Sequence, residues 1–150
     1  MGDVDGSDCV FCAIACGEAE ASTVYSDDLA MVVMTLGPVT PGHVLVIPRV
    51  HVVGLEDLDE ETGAHLWKVA HRMARALRRS GLRCEGVNVF LADGEAAFQE
   101  VFHLHLHVFP RYEGDGFRLA ADWNTRTRAS LDEDAEAVRT GLAALNRPGA

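Results

Sequence analysis

Apolar residues fall into short unbroken runs and one long helical stripe. Residues 23–25 and 29–35 read as a hairpin, with Ser26-Asp27-Asp28 as its turn and AMVVM as a buried strand. LGPVTPGH follows, a shaped loop carrying Pro38, Pro41 and two glycines, and then HVLVIP (43–48), a second buried strand ended by Pro48. GVNVFLA (86–92) and HLHLHVFP (103–110) are the fourth and fifth strands, separated by a turn at Asp93-Gly94.

Between the third and fourth strands, residues 57–80 carry Leu66, Val69, Ala70, Met73, Ala76 and Leu77 at helical spacing. Asp57 with Glu60 predicts an acidic capping box, and Gly81 the stop. Arg72, Arg75, Arg78 and Arg79 form a solvated face that complements the helix dipole. His65 and His71 on this helix read as surface or boundary residues. A short helix is predicted from Cys9 to Cys16, stopped by Gly17. Residues 113–129 read as irregular. A final helix follows, capped by Ser130 with Glu133 and running to about Leu145, with Val138, Leu142 and Leu145 inward. Strands grouped around one long helix, without regular βαβ alternation, predict an α+β fold with an antiparallel sheet.

Charge narrows the function. Thirteen Lys and Arg against 23 Asp and Glu give a formal net charge of −10, which disfavours nucleic acid or an anionic membrane as partner. A small phosphorylated ligand stays compatible, because local groups outweigh a distant net charge. No run approaches the roughly 18 apolar residues of a membrane helix. MGDVDGSD offers neither a basic n-region nor an apolar h-region, so the expected location is cytoplasmic.

The histidines carry the chemistry. In His103-Leu104-His105-Leu106-His107-Val108 the period of a strand puts three imidazoles on one face and the aliphatic side chains on the other. Each ring has two nitrogens that need partners when buried. That arrangement suits a metal, an anion or a nucleophile, since imidazole binds transition metals and attacks phosphorus. Three of the four cysteines (Cys9, Cys12, Cys16, Cys84) crowd the first 16 residues, a spacing open to metal or thiol chemistry. Cys16 and Cys84 read as buried thiols.

HLHLHVF, together with CVFCAI, PVTPGHVLVIPRVH, GVN and HVFPRYEGDGF in that order, resembles the histidine triad (HIT) superfamily of nucleotide hydrolases and transferases, in its bacterial Hint-like branch. The resemblance covers about residues 9–117. It implies a five-stranded antiparallel sheet with one long and one short helix, usually a homodimer. The organisation expected is a disordered lead-in (1–8), the HIT domain (9–112) and a C-terminal extension with a tail helix (113–150) packed on the same domain. By resemblance His105 is the nucleophile that takes the α-phosphorus of a nucleoside monophosphate conjugate, of phosphoramidate or dinucleoside polyphosphate type. His107 orients it, while Asn88 and Gln99 bind phosphate or leaving group. A base-binding wall would comprise Val10, Phe11, Ile14 and Val33 through Leu36, Thr35 among them. His43 is expected to shape its loop. Cys9, Cys12, His51 and His103 would hold a structural zinc, and no organic cofactor is implied.

Three positions depart from the family pattern. Thr35 stands where an acidic residue commonly accepts the ribose hydroxyls, Phe98 where glycine often precedes the glutamine, and Glu100 where Ser or Thr often follows it. They leave room for a second reading, a zinc-stabilised nucleotide-binding protein with little or no turnover. Trp123 in the tail is a candidate specificity residue.

Overall fold

Two unbroken apolar runs form the centre of the sheet because both of their faces are covered. The structure, a computed structural model, describes residues 7–146. In β2 (Ala30–Met34) and β3 (Val44–Pro48), alternate side chains part to opposite sides. Ala30, Val32, Val44 and Val46 join Leu66, Val69, Ala70, Met73 and Leu77 of the long helix α2 (Glu60–Leu77). Met31, Val33, Leu45 and Ile47 join Phe11 of the short helix α1 (Val10–Ala15) on the other side. Burying one such aliphatic side chain stabilises the fold by roughly 1.5–3 kcal/mol.

β1 (Thr23–Ser26), β4 (Gly86–Leu91) and β5 (Leu106–Arg111) complete a five-stranded antiparallel sheet in the order β1-β2-β3-β5-β4. The expected fold class is therefore the observed one. The fifth strand, however, begins at Leu106 rather than at His103. A bend at 101–103 and two irregular residues, Leu104 and His105, precede it, tied down by the Leu104 N–H donating to the Val52 carbonyl at 2.8 Å. Register sets the site: Leu45 lies opposite His107, and Val44 opposite Val108.

Helix starts differ from the expectation. Asp57 belongs to a single 3-10 turn (Leu55–Asp57), and Asp59 caps α2 by accepting the Thr62 N–H at 2.8 Å. The capping side chain must sit where the backbone is still extended, and Asp59 does. Ala76 turns outward, leaving the other five of the predicted stripe buried. His65 does more than occupy a boundary. Its Nε2 lies 2.7 Å from Asp27 Oδ2, joining α2 to the β1–β2 turn, where Asp27 also accepts the Tyr25 hydroxyl at 2.6 Å. Burial works to raise the Asp27 carboxyl, but hydrogen bonds from Tyr25, Ala30, Leu29 and His65 outweigh it and hold it well below its usual range.

The chain divides into two compact units between Phe117 and Arg118. The second contains α3 (Arg128–Leu145), capped by Thr127 rather than Ser130. Val138, Leu142 and Leu145 are exposed, not inward, and α3 has no buried residue. Trp123 is exposed as well. Of the expected lead-in, residues 1–6 lie outside the described residues, and Ser7-Asp8 form a turn. Among the described residues no helix is long and apolar enough to cross a membrane.

Candidate functional site

The histidine run is built so that neighbouring rings expose different nitrogens. His105 is buried, and its Nδ1 lies 2.8 Å from the carbonyl oxygen of His103. A carbonyl only accepts, so Nδ1 carries the proton and Nε2 keeps its lone pair. Burial pushes the His105 pKa down, which keeps the ring neutral.

His107 belongs to a chain that starts in the loop before β3. The Val39 N–H donates to His43 Nδ1 at 3.0 Å, which puts the His43 proton on Nε2. That nitrogen lies 2.9 Å from His107 Nδ1 and donates to it, leaving the His107 proton on Nε2. Burial, and after it the neighbouring His105, lower both His43 and His107 to about 4, with His43 adding to the effect on His107. Both rings are thus neutral near pH 7, and the direction of every proton in the chain is fixed. Gly42 makes the loop possible. Its φ is +102°, and a Cβ there would meet Leu82 Cδ1 at 2.9 Å and Leu77 Cδ2 at 3.1 Å. Thr40 anchors the same loop by donating to the Pro110 carbonyl at 2.6 Å.

His105 and His107 open onto a cleft of about 610 Å³, a size ordinary for a small-molecule site. The predicted wall residues Val10, Phe11, Ile14, Val33, Met34, Thr35 and Leu36 all line it. Phe11 packs edge-on against His105, with ring centroids 5.1 Å apart. Phe98 and Glu100 line the cleft too, as does Glu20, which sequence reasoning did not single out.

Asn88 and Gln99 do not line it. Asn88 pairs with Phe109 across β4 and β5, and its Oδ1 accepts from Arg111 at 2.7 Å in a separate groove. Gln99 is buried, donates to the carbonyls of Val53 (2.7 Å) and Val101 (3.2 Å), and accepts the Gly94 N–H at 2.8 Å. Its amide is spent on shaping the loop before the histidines. Beyond its place in the loop before β3, His43 is the partner of His107. The signal available was its position two before Leu45, hence on the same face, but using it requires the β3–β5 register.

At the other end of the run, His103 is fully buried and its Nε2 lies 2.8 Å from the Pro48 carbonyl. The proton therefore sits on Nε2, and the lone pair of Nδ1 faces Cys9 Sγ at 3.3 Å and Cys12 Sγ at 3.5 Å. His51 Nδ1 is 3.3 Å from Cys12 Sγ. The four ligand atoms all lie within 4.8 Å of one another. Two sulfurs and two nitrogens bonded tetrahedrally to zinc are separated by roughly 3.3–3.8 Å, given bonds of about 2.0–2.3 Å. The donor set and spacing fit that ion. His51 Nδ1 turns to the sulfur, and its Nε2, on the far side of the ring, is buried without a hydrogen-bond partner. Cys16, in contrast, is exposed and Cys84 half-buried, so neither is the buried thiol expected.

Fold, histidine run and cleft define a histidine-triad protein. The pattern of the HIT domain matches residues 16–114. An uncharacterized HIT-like protein of Mycobacterium tuberculosis is 38% identical over 135 residues, 90% of this chain and 93% of its own. A zinc-bound histidine triad family protein from Mycobacterium smegmatis is 43% identical, with a TM-score of 0.70 over 92% of this chain and 95% of its own. The adenylylsulfatase HINT3 of Arabidopsis thaliana is 31% identical over 86% of this chain and 64% of its own. The chain belongs to the HIT family.

Proposed function

We propose that this protein cleaves nucleoside monophosphate conjugates through a covalent nucleotidyl-histidine at His105. The single observation that carries the reading is the His105 Nδ1 contact with the His103 carbonyl, which leaves Nε2 as the free nucleophile beside the cleft. Nε2 attacks the α-phosphorus, the bond to the leaving group breaks, and its electron pair departs with that group, which takes a proton from solvent. Water then attacks the phosphorus, releases the nucleoside monophosphate and restores neutral His105. The Nε2–H of His107, aimed by His43, is a donor for a phosphate oxygen as negative charge grows. Thr35, Leu36 and Phe11 would form the nucleoside side of the cleft. An adenylylsulfatase among the relatives supports an adenylyl conjugate as the class of substrate.

Cys9, Cys12, His51 and His103 would hold a structural zinc, which supplies a four-ligand crosslink with no open coordination position. A second copy of the chain is the partner we infer for Trp67 of α2 and for Val89 and Phe90 on the edge strand β4, all exposed. Light scattering would then give twice the chain mass of 16.2 kDa, and the monomer mass would refute that partner.

The test of the activity is a single turnover with an adenosine 5′-phosphoramidate, quenched for intact-mass analysis. Addition of one adenylyl group, lost in His105→Asn, is the expected result. A folded wild type that binds the nucleotide yet gives neither adduct nor product would overturn it in favour of a nucleotide-binding protein without turnover.

A further inference from the structure

We propose that Arg49 is a positioning residue for the nucleotide: its guanidinium fastens the end of α1 to the β1–β2 turn and so holds the α1 wall of the cleft in place beside His105. The proposal rests on the nucleotidyl-transfer reading above and adds to it a residue outside the cleft.

α1 has six residues, too few to hold a helix by themselves, so its place depends on what grips it. Three of its side chains, Val10, Phe11 and Ile14, line the cleft, and Phe11 also packs edge-on against His105. The N-terminal end is gripped where Cys9 and Cys12 meet His103 and His51. At the C-terminal end, N–H groups of the following residues cover three of the last carbonyls. Cys16 donates to Cys12 at 3.0 Å, Glu18 to Ala13 at 2.8 Å and Gly17 to Ile14 at 3.1 Å. The Ala15 carbonyl, next in line, accepts from Arg49 Nη1 at 3.2 Å.

The same guanidinium reaches the β1–β2 turn. Its Nε donates to the Asp27 carbonyl at 2.6 Å, and its Nη2 to the Ser26 hydroxyl. That turn is a stiff anchor. Asp27 Oδ1 accepts the Leu29 and Ala30 N–H groups at 2.8 Å each, while Oδ2 meets Tyr25 and, through His65, α2. The Arg49 N–H donates to the Leu29 carbonyl at 2.9 Å, which fixes where the side chain starts. Three acceptors on two separate elements thus share one planar fork. A lysine offers a single nitrogen on a flexible stem and does not reproduce that fork. Without the clamp the wall stays attached at its cysteine end and shifts at Ile14. The His105 contact with the His103 carbonyl does not involve Arg49, so losing the clamp weakens nucleotide binding more than it slows the chemical step.

The test uses the full-length protein, with adenosine monophosphate for equilibrium binding and an adenosine 5′-phosphoramidate for turnover. Arg49→Ala should raise the Kd of the one and the KM of the other by roughly tenfold, with kcat within a few-fold of wild type. Dilute guanidinium chloride should restore part of the affinity, and sodium chloride at equal ionic strength should not. Arg49→Lys should fall between Arg49→Ala and wild type, and it serves for the comparison if Arg49→Ala does not fold. Unchanged Kd and KM in the folded variant would overturn the clamp and leave nucleotidyl transfer standing. So would an affinity lost only in proportion to folded protein and unmoved by guanidinium. Monophosphate binding that weakens in the variant, where wild type forms no His105 adduct, would overturn the transfer reading and leave the clamp standing. No monophosphate binding by folded wild type would overturn both.

Discussion

His103 and His105 are two residues apart, and they present opposite nitrogens to their surroundings. His103 gives its Nε2 proton to the Pro48 carbonyl and turns the Nδ1 lone pair toward two cysteine sulfurs. His105 gives its Nδ1 proton to the His103 carbonyl and leaves Nε2 at the cleft. The side chains are identical, and a backbone carbonyl chooses the tautomer in each. One ring therefore turns its lone pair toward two sulfurs in a closed corner, and the other leaves its own beside an open cleft. The irregular backbone at 103–105 makes this possible, since a regular strand would have given the two rings equivalent backbone surroundings.

Removing the metal is the strongest way to probe that division. The protein as purified should contain one zinc per chain, measured by elemental mass spectrometry. Replacing Cys9 and Cys12 together by Ala should lower stability by on the order of 3 kcal/mol, or roughly 10 °C in Tm. The fraction still folded should form the His105 adduct at a rate within a few-fold of wild type. An unchanged Tm with no metal present would remove the closed corner from the comparison. A loss of adduct formation far beyond the loss of folded protein would mean that the two corners act as one.

The face pattern of the core was legible because β2 and β3 are apolar throughout and α2 is apolar at helical spacing. The gathering of Cys9, Cys12, His51 and His103 followed from the resemblance rather than from spacing, and the histidine run itself marked out His105, which lines the cleft. Asn88 was not, because its distance along the chain from the histidines says nothing of the β4–β5 register, which sets it against Phe109 and within reach of Arg111. Gln99 sits close to the run, yet its amide turns inward to three backbone groups, a choice fixed only once the loop closes. The α3 face was misjudged for a different reason. An apolar stripe records that a helix could bury a face, not that something covers it.

His43 offers the finer test, because it acts on the nucleophile's side only and through a proton direction. His43→Ala leaves His107 Nδ1 without its donor, so the Nε2–H tautomer of His107 is no longer enforced. A fall of roughly 10–100-fold in kcat is expected, with His43→Gln recovering part of it because its amide N–H can still donate. The same pair sets a pH dependence whose sign follows from burial. Both histidines fall from an ordinary 6.5 to about 4 in the folded protein. Between those values the unfolded chain binds more protons than the folded one, so stability rises with pH across this window. It is fully present above about 6.5, is lost as pH falls toward about 4, and changes no further below that on account of this pair. The total is on the order of a few kcal/mol, most of it from buried His43, since solvent access reduces the share of His107. Denaturant melts of wild type and His43→Ala at intervals from pH 4 to 7 would measure it. The slope should flatten in the variant, and an equal slope in both would show that the pair is not held neutral by its burial.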